Sequence, residues 1–428
     1  MKKIVIVTLL LSTTASLFAQ KPESLINAKD AERIERVLAS DEMRGRKTFS
    51  PEIDKAADFI ATEFKAAGLQ PAGTGNGYRQ EFSVVSSKQL SLTATVDGQP
   101  FNAKDVLVVT HAAALKVDQS SGYDTATIRA GASIFQLAST LSHSGKNLVV
   151  YVDTSFRANF PRLSFLKRNS FRSATNTIFI LTASVPSSFS VDATHEITEQ
   201  KLANVVGILP GKSKKDEYVI FSGHYDHIGI GKPLNGDSIY NGANDDAAGT
   251  TAVILLARYF KALKNNERTI IFAAFTAEEI GGYGSQYFSK QYSPEKVVAM
   301  FNIEMIGTES KWGKNSAYIT GYDKTDMGTM LQKNLEGTGF EFHPDPYTDQ
   351  QLFYRSDNAT LAALGVPAHT ISTAKMDAEP HYHKASDQVE TLDLENMAMI
   401  IRSIALSSRG IVAGKETPSR VKVEELKR

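Results

Sequence analysis

The stretch from Tyr218 to Thr276 decides the fold: YVIFSG (218–223), an apolar-periodic segment from Ala247 to Leu263, and TIIFAAFT (269–276). Short runs rich in Val, Ile and Phe read as buried strands, and apolar residues at three- and four-residue spacing between them read as a helix. The alternation continues through a helix near 283–292, VVAMFNIEM (297–305), AYIT (317–320), a helix near 327–335 and VPAHTIST (366–373). This pattern predicts an α/β domain over residues 204–414, with a mostly parallel central sheet flanked by helices. In such sheets the ligand crevice lies at the carboxyl ends of the strands.

Upstream, Ala28–Leu38 and Pro51–Leu69 carry apolar residues at helical spacing, so residues 20–81 read as an N-terminal helical part of the same domain. From 82 to 203 the pattern changes to LSLTATVDG, DVLVVT, NLVVYVD and NTIFILT, separated by turn residues. That reads as a β-rich insertion with a helix around 130–142. Residues 415–428 are polar and read as a surface tail.

The first twenty residues, MKKIVIVTLLLSTTASLFAQ, place Lys2 and Lys3 before an apolar run and then small residues up to Ala19. This is the layout of a cleaved signal over residues 1–19, and it predicts an exported protein, periplasmic or secreted. The uncharged stretch is marginal for crossing ~30 Å of hydrocarbon, so no membrane span is expected after cleavage. Lys plus Arg and Asp plus Glu both number 47 in 428 residues. The balance offers no field for nucleic acid. There is no cysteine, which excludes disulfides, a thiolate nucleophile and Cys-ligated metal. Any metal must be held by His and carboxylates, the ligand set of hydrolytic zinc.

Candidate ligands fall where apolar runs stop: GHYDH (223–227) after the first strand, GANDDAAG (242–249) before the next helix, AEE (277–279) after TIIFAAFT, and NIEMIG (302–307) closing VVAMF. A two-metal hydrolytic site needs oxygen and imidazole ligands, a carboxylate able to bridge the ions, and a free carboxylate beside the water. Asp245, in its Gly/Ala-flanked loop, suits the bridge, and Asp246 suits a cap at the helix start. Glu278 and Glu279 are adjacent and cannot point the same way, so one can ligate while the other faces the water. His224 ends the first strand, with Asp226 close enough to orient it. His227 reads as structural, because one histidine from this segment suffices.

Together these motifs resemble the bacterial di-zinc aminopeptidase family, metallopeptidase family twenty-eight, which is related to glutamate carboxypeptidases and glutaminyl cyclases. The resemblance covers LASDEMRGRKTFSPEIDKAADFIATEFKAAGLQPAG (38–73), GHYDHIG, NGANDDAAGT, FTAEEIGGYGS, NIEMIG, FYRSDN (353–358) and HYHKASDQVETLD (381–393). It implies a zinc-exopeptidase-like phosphorylase/hydrolase fold. It also implies two Zn2+ ions, one held by His224, Asp245 and Glu304, the other by Asp245, Glu279 and His383. Glu278 would be the general base and Asp226 would support His224. The Tyr-His pattern before Asp387 selects His383 over His381.

The family usually has Asp where this chain has Glu304, and the added methylene moves the carboxylate by ~1.5 Å in a site fixed to a few tenths of an ångström. That predicts altered occupancy of the second ion. Asn358 stands where a His is common and is expected near the substrate. Relatives often insert a protease-associated domain where 82–203 lies, and GKNLVVYVD (145–153) resembles it faintly.

The resemblance implies an exported exopeptidase trimming the amino end of peptides. A zinc carboxypeptidase, a cyclising transferase acting on N-terminal Gln, and a catalytically impaired binding homologue are the alternatives. Tyr354, Arg355 and Asp357 are expected substrate contacts. Trp312 and Tyr318 read as core aromatics more readily than as pocket lining.

Overall fold

The structure is a computed structural model that describes residues 22–426 apart from 74 and 76. The signal expected over 1–19 lies outside the described residues.

The strand Lys214–His224 lies between Arg268–Phe275 and Val297–Ile303 and runs parallel to both, and Val297–Ile303 pairs in parallel with Ala368–Ser372. Antiparallel strands extend this parallel core: Phe189–Leu209 beside Arg268–Phe275, and Ser316–Ile319 beside Ala368–Ser372. The core strands are apolar because both faces are covered. Every residue of Arg268–Phe275 and of Val297–Ile303 is buried. Phe221 faces Phe272 and Phe301 on its two neighbours, with ring centroids 5.8 and 4.8 Å apart. Such pairs add ~0.5–1.5 kcal/mol to simple burial.

Helices Ala28–Leu38, Pro51–Ala66, Ala248–Leu263 and Leu394–Ser407 share one apolar core on one face of the sheet. Tyr283–Ser289 and Asn358–Ala362 supply Phe288, Leu361 and Ala362 to the core on the other face. Ala28–Leu38, Pro51–Ala66 and Ala248–Leu263 fall where the spacing predicts helices, whereas Leu394–Ser407 lies outside the helices read from the sequence. Pro51–Ala66 ends two residues before Gly68, whose φ of +74° turns the chain out of the helix.

Parallel pairing brings the carboxyl ends of the core strands to one edge. Ser222 pairs with Asn302, so His224 and Glu304, each two residues further on, end level with one another.

The β-rich region is built on two long strands, Arg79–Val96 and Phe189–Leu209, paired from Arg79↔Val205 to Val96↔Phe189. Arg79–Val96 begins inside the central sheet and runs on into the insertion, and Phe189–Leu209 returns from the insertion and ends inside the central sheet. They carry a separate four-stranded sheet (Val106–Val109, Thr177–Leu181, Leu148–Val152 and Asp124–Ile128) and the helix Ile134–Ser142. The insertion returns to the core through Phe171, which meets Tyr283 edge-on, and through the Tyr283 hydroxyl, which donates to the Asn169 carbonyl. The chain after 415, expected as a surface tail, is docked over its described part. Buried Arg268 donates to the Glu416 carbonyl and the Thr417 hydroxyl, Arg420 donates to the Val297 carbonyl, and Val421 is buried.

One buried cation fixes the loops at the functional edge. Arg46 is fully buried and donates to four carbonyls: Tyr225 at 2.7 Å, Leu38 at 2.6 Å, Asn241 at 2.6 Å and Gly242 at 2.8 Å. The preceding Gly45, at φ +70°, lies so close to the Tyr240 carbonyl that a Cβ there would stand 2.4 Å from it. Removing the guanidinium leaves several buried carbonyls without donors. Arg46→Met is expected to lower unfolding free energy by about 3–5 kcal/mol, measured by denaturant titration; a loss under ~1 kcal/mol would show that the loops hold themselves.

Candidate metal centre

His224, Glu279 and Glu304 come from strand ends or the turns just after them and Asp245 from the loop before Ala248–Leu263, whereas His383 comes from the long loop after Ala368–Ser372. Glycines permit the crowding. A Cβ on Gly249 would lie 2.0 Å from the Ile303 carbonyl and 2.3 Å from the Asp246 carboxylate.

The side chains of His224, Asp245, Glu279, Glu304 and His383 converge. His224 Nε2 lies 3.2 Å from Asp245 Oδ1, and His383 Nε2 lies 3.2 Å from Asp245 Oδ2 and 3.3 Å from Glu279 Oε2. Asp245 therefore presents one oxygen to each histidine, as a bridging carboxylate must. His224, Asp245 and Glu304 form one group of mutually close donor atoms, and His227, Asp245 and Glu279 form another. The longer Glu304 reaches its group, with one oxygen taking the Ser356 hydroxyl proton and Ser356 in turn accepting from Asn302 at 2.8 Å.

Three buried carboxylates beside the cluster hold its backbone. Asp246 accepts from the amides of His224 (3.1 Å), Gly249 (2.9 Å) and Met305 (3.1 Å), so it caps the helix and ties two strand ends together. Asp387 accepts from the amides of Asn244 and Asp245 at 2.8 and 3.1 Å. Asp226 accepts from the amides of Glu278 and Glu279 at 3.0 and 3.3 Å and from the Thr48 hydroxyl at 3.0 Å. It is the Asp226 backbone carbonyl that meets His224 Nδ1, at 3.1 Å, while its nearer carboxylate oxygen is 3.9 Å away. The side chain expected to orient the histidine thus positions the glutamate pair instead.

Electrostatics show what the cluster lacks. Burial raises the Glu278 carboxyl well above its ordinary value and pushes Glu304 to about 7. Burial also works against ionisation of Asp245, yet His224 and His383 hold it below the usual range. Buried carboxylates need compensating positive charge. His224 Nε2, both ring nitrogens of His227 and Glu279 Oε1 are buried without hydrogen-bond partners. Orphaned N and O donors around an excess of carboxylate fit zinc-type cations.

A cavity opens on this cluster. Asp245, Glu278, Glu279, Glu304 and His383 line it together with Tyr318, Met376, Tyr382 and Arg355. Of the expected substrate contacts only Arg355 reaches the wall. Tyr354 packs against Phe353, and Asp357 is buried with its carboxyl pushed up to about 6 by burial. Asn358, expected near the substrate, is buried and donates to the Phe353 and Ala368 carbonyls. His381 turns to Ser386. Trp312 is exposed and stacks on His343, whereas Tyr318 lines the cavity. His227 and Ser356 are the residues that the sequence reading passed over at the site; the Ser356 contact had no sequence signal.

The fold and site define an α/β protein with clustered His and carboxylate groups that could hold metal at the carboxyl edge of its sheet. Residues 204–407 match the model of Peptidase family M28. The chain is 29% identical over 204 residues to a probable leucine aminopeptidase of Trichophyton verrucosum, covering 45% of this chain and 53% of that protein. It is 24% identical over 233 residues to an aminopeptidase of Bacillus subtilis, covering 53% and 48%. The chain thus spans about half the length of these relatives. Among solved structures, a zinc aminopeptidase from Bacillus subtilis aligns with a TM-score of 0.55 at 18% identity, covering 94% of this chain and 97% of that one. An aminopeptidase from Aneurinibacillus sp. strain AM-1 aligns with a TM-score of 0.54 at 17% identity, covering 95% and 98%. These two likenesses establish the shared fold.

Asp226→Asn places an amide group where two backbone amides need acceptors. It is expected to weaken zinc binding about 10–100-fold with the fold intact, read by titration against a chromogenic chelator; unchanged affinity would mean that the Glu278–Glu279 turn needs no support.

Proposed function

We propose that this chain is an exported aminopeptidase that uses two zinc ions, the carrying observation being Asp245 with one oxygen directed to each of two donor groups. His224, Asp245 and Glu304 would hold one ion, and Asp245, Glu279 and His383 the other. Bound zinc supplies a water acidified toward a pKa of ~7 and polarises the peptide carbonyl. Glu278 lines the same cavity, and burial makes its carboxylate readily protonated. It takes up a proton and passes it to the leaving amine. Asp226 holds the Glu278 amide and so fixes the position of that carboxyl.

Two cavities support action at a chain end. The one lined by Tyr318, Met376 and Tyr382 is small, about 60 Å³; the other, lined by Lys47, Phe49, Arg168 and Tyr283, is about 770 Å³. Glu279 and His383 line both, so the cavities meet at the cluster. The small one suits a single terminal residue and the large one the rest of the chain. The likeness to proteins named aminopeptidase supports the amino end of the peptide. Lys47 and Arg168 suit the leaving peptide's carboxylates. Export is supported by the leader pattern of residues 1–19; among the described residues no helix is long and apolar enough to cross a membrane.

The test is mass spectrometry of peptides with free, acetylated or Gln-led amino termini, incubated with and without chelator. Chelator-sensitive loss of single residues from free amino ends is expected. Trimming from the carboxyl end would overturn the assignment in favour of a carboxypeptidase, and ammonia loss alone would make the chain a cyclase. Glu278→Gln should keep its zinc while turnover falls about 10²–10⁴-fold; loss of zinc in step with activity would mark Glu278 as a ligand.

A further inference from the structure

His227 is 1% exposed, and neither ring nitrogen has a hydrogen-bond partner. Leaving such a group unpaired in a core costs ~1–3 kcal/mol, so an ordinary structural histidine does not explain it. Its Nδ1 lies 2.7 Å from Glu279 Oε1 and 3.8 Å from Asp245 Oδ2. The nearer contact is within hydrogen-bond range, yet Glu279 Oε1 and His227 Nδ1 both remain without a hydrogen bond. Two buried ligand atoms this close and left unpaired are what a shared cation would join.

The distances agree with that reading. Four ligands at ~2.0–2.1 Å from a tetrahedral zinc stand ~3.3–3.4 Å apart. His383 Nε2 is 3.2 Å from Asp245 Oδ2 and 3.3 Å from Glu279 Oε2, and His227 Nδ1 reaches the same Asp245 oxygen at 3.8 Å and the other Glu279 oxygen at 2.7 Å. The imidazole is also held in place. Its amide donates to the Arg46 carbonyl at 3.2 Å, its ring meets the His383 ring edge-on at 5.7 Å, and a Cβ on Gly242 would stand 2.6 Å from the ring.

We propose that His227 is a fourth protein ligand to the ion held by Asp245, Glu279 and His383, through Nδ1. This rests on the two-zinc reading above. The His227 site is then closed by protein, whereas the site of His224, Asp245 and Glu304 has three protein ligands and keeps an open position. The ion in the closed site binds tightly and the other exchanges.

The test uses the full chain, stripped of metal and titrated with Zn2+ against a chromogenic chelator, then with Co2+ followed by its visible spectrum. Wild type is expected to bind two ions in separate phases. His227→Ala should weaken the tight phase about 10–100-fold or more and leave the weak phase unchanged, with loss of the four-coordinate cobalt band at one equivalent. Unchanged tight binding, or equal weakening of both phases, would overturn the proposal. His227→Cys guards against a folding defect: a thiolate at position 227 has a reach comparable to Nδ1, and the chain has no other cysteine. A sulfur-to-cobalt charge-transfer band in this variant is expected; its absence in a folded variant that binds cobalt would also overturn the proposal. Wild type that binds neither zinc nor cobalt would sink the two-zinc reading itself, a result distinct from either failure.

Discussion

The grip of the Arg46 guanidinium on four carbonyls is the constraint from which the functional edge is built. Two of those carbonyls, Asn241 and Gly242, belong to the loop that delivers Asp245. A third, Tyr225, lies between His224 and Asp226. The Arg46 carbonyl meanwhile receives the His227 amide. One residue of the N-terminal segment therefore sets the spacing between the first strand end and the bridging loop. The sheet alone cannot do this, since hydrogen-bonded register stops where the strands stop. Burying a guanidinium is costly, and that cost is offset only while every carbonyl stays in place. The same cost is what makes the arrangement stiff.

Around this cation the protein gathers carboxylates of two kinds. Asp226, Asp246 and Asp387 are each satisfied by backbone amides. Asp245, Glu279 and Glu304 point at histidines and at one another. The first kind lowers the energy of the empty site and shapes it; the second raises it, because burial without positive charge disfavours ionised acids. Such a division links metal affinity to folding. Cations relieve the repulsion that the amide-anchored acids cannot reach, so binding free energy becomes part of the stability of this edge.

The parallel sheet was legible because its strands are buried on both faces and so read as unbroken apolar runs, and the ligand candidates His224, Glu279 and Glu304 were legible because those runs stop near them, whereas His383 came from the family resemblance alone. Asp245 and Asp246 could be told apart by their place relative to the helix start. Long-range roles were not legible. Nothing near Asp226 in sequence reveals that its carboxylate meets amides more than fifty residues away. Tyr354 and Asp357 were drawn to the substrate by their position between ligands, yet the short turn before Asn358–Ala362 faces Arg355 and Ser356 to the cavity instead. His227 was set aside by a count of ligands, which sequence spacing cannot correct: residues 224 and 227 straddle the point where the strand ends, so their relative direction depends on the turn.

The insertion bears on the same edge through physical continuity. Arg79–Val96 and Phe189–Leu209 are single strands shared by both parts, so the insertion is carried by hydrogen-bonded sheet and not by a linker. Its loop at 168–171 reaches the turn that follows Glu278 and Glu279, where the Tyr283 hydroxyl holds the Asn169 carbonyl and Phe171 packs on the Tyr283 ring. Arg168 and Asn169 then form one wall of the large cavity, opposite Lys47 from the N-terminal segment. Three regions distant in sequence thus enclose one space beside the cluster. A chain occupying both cavities would run between the insertion and the segment anchored by Arg46, so residues outside the ligand-bearing strands line that path.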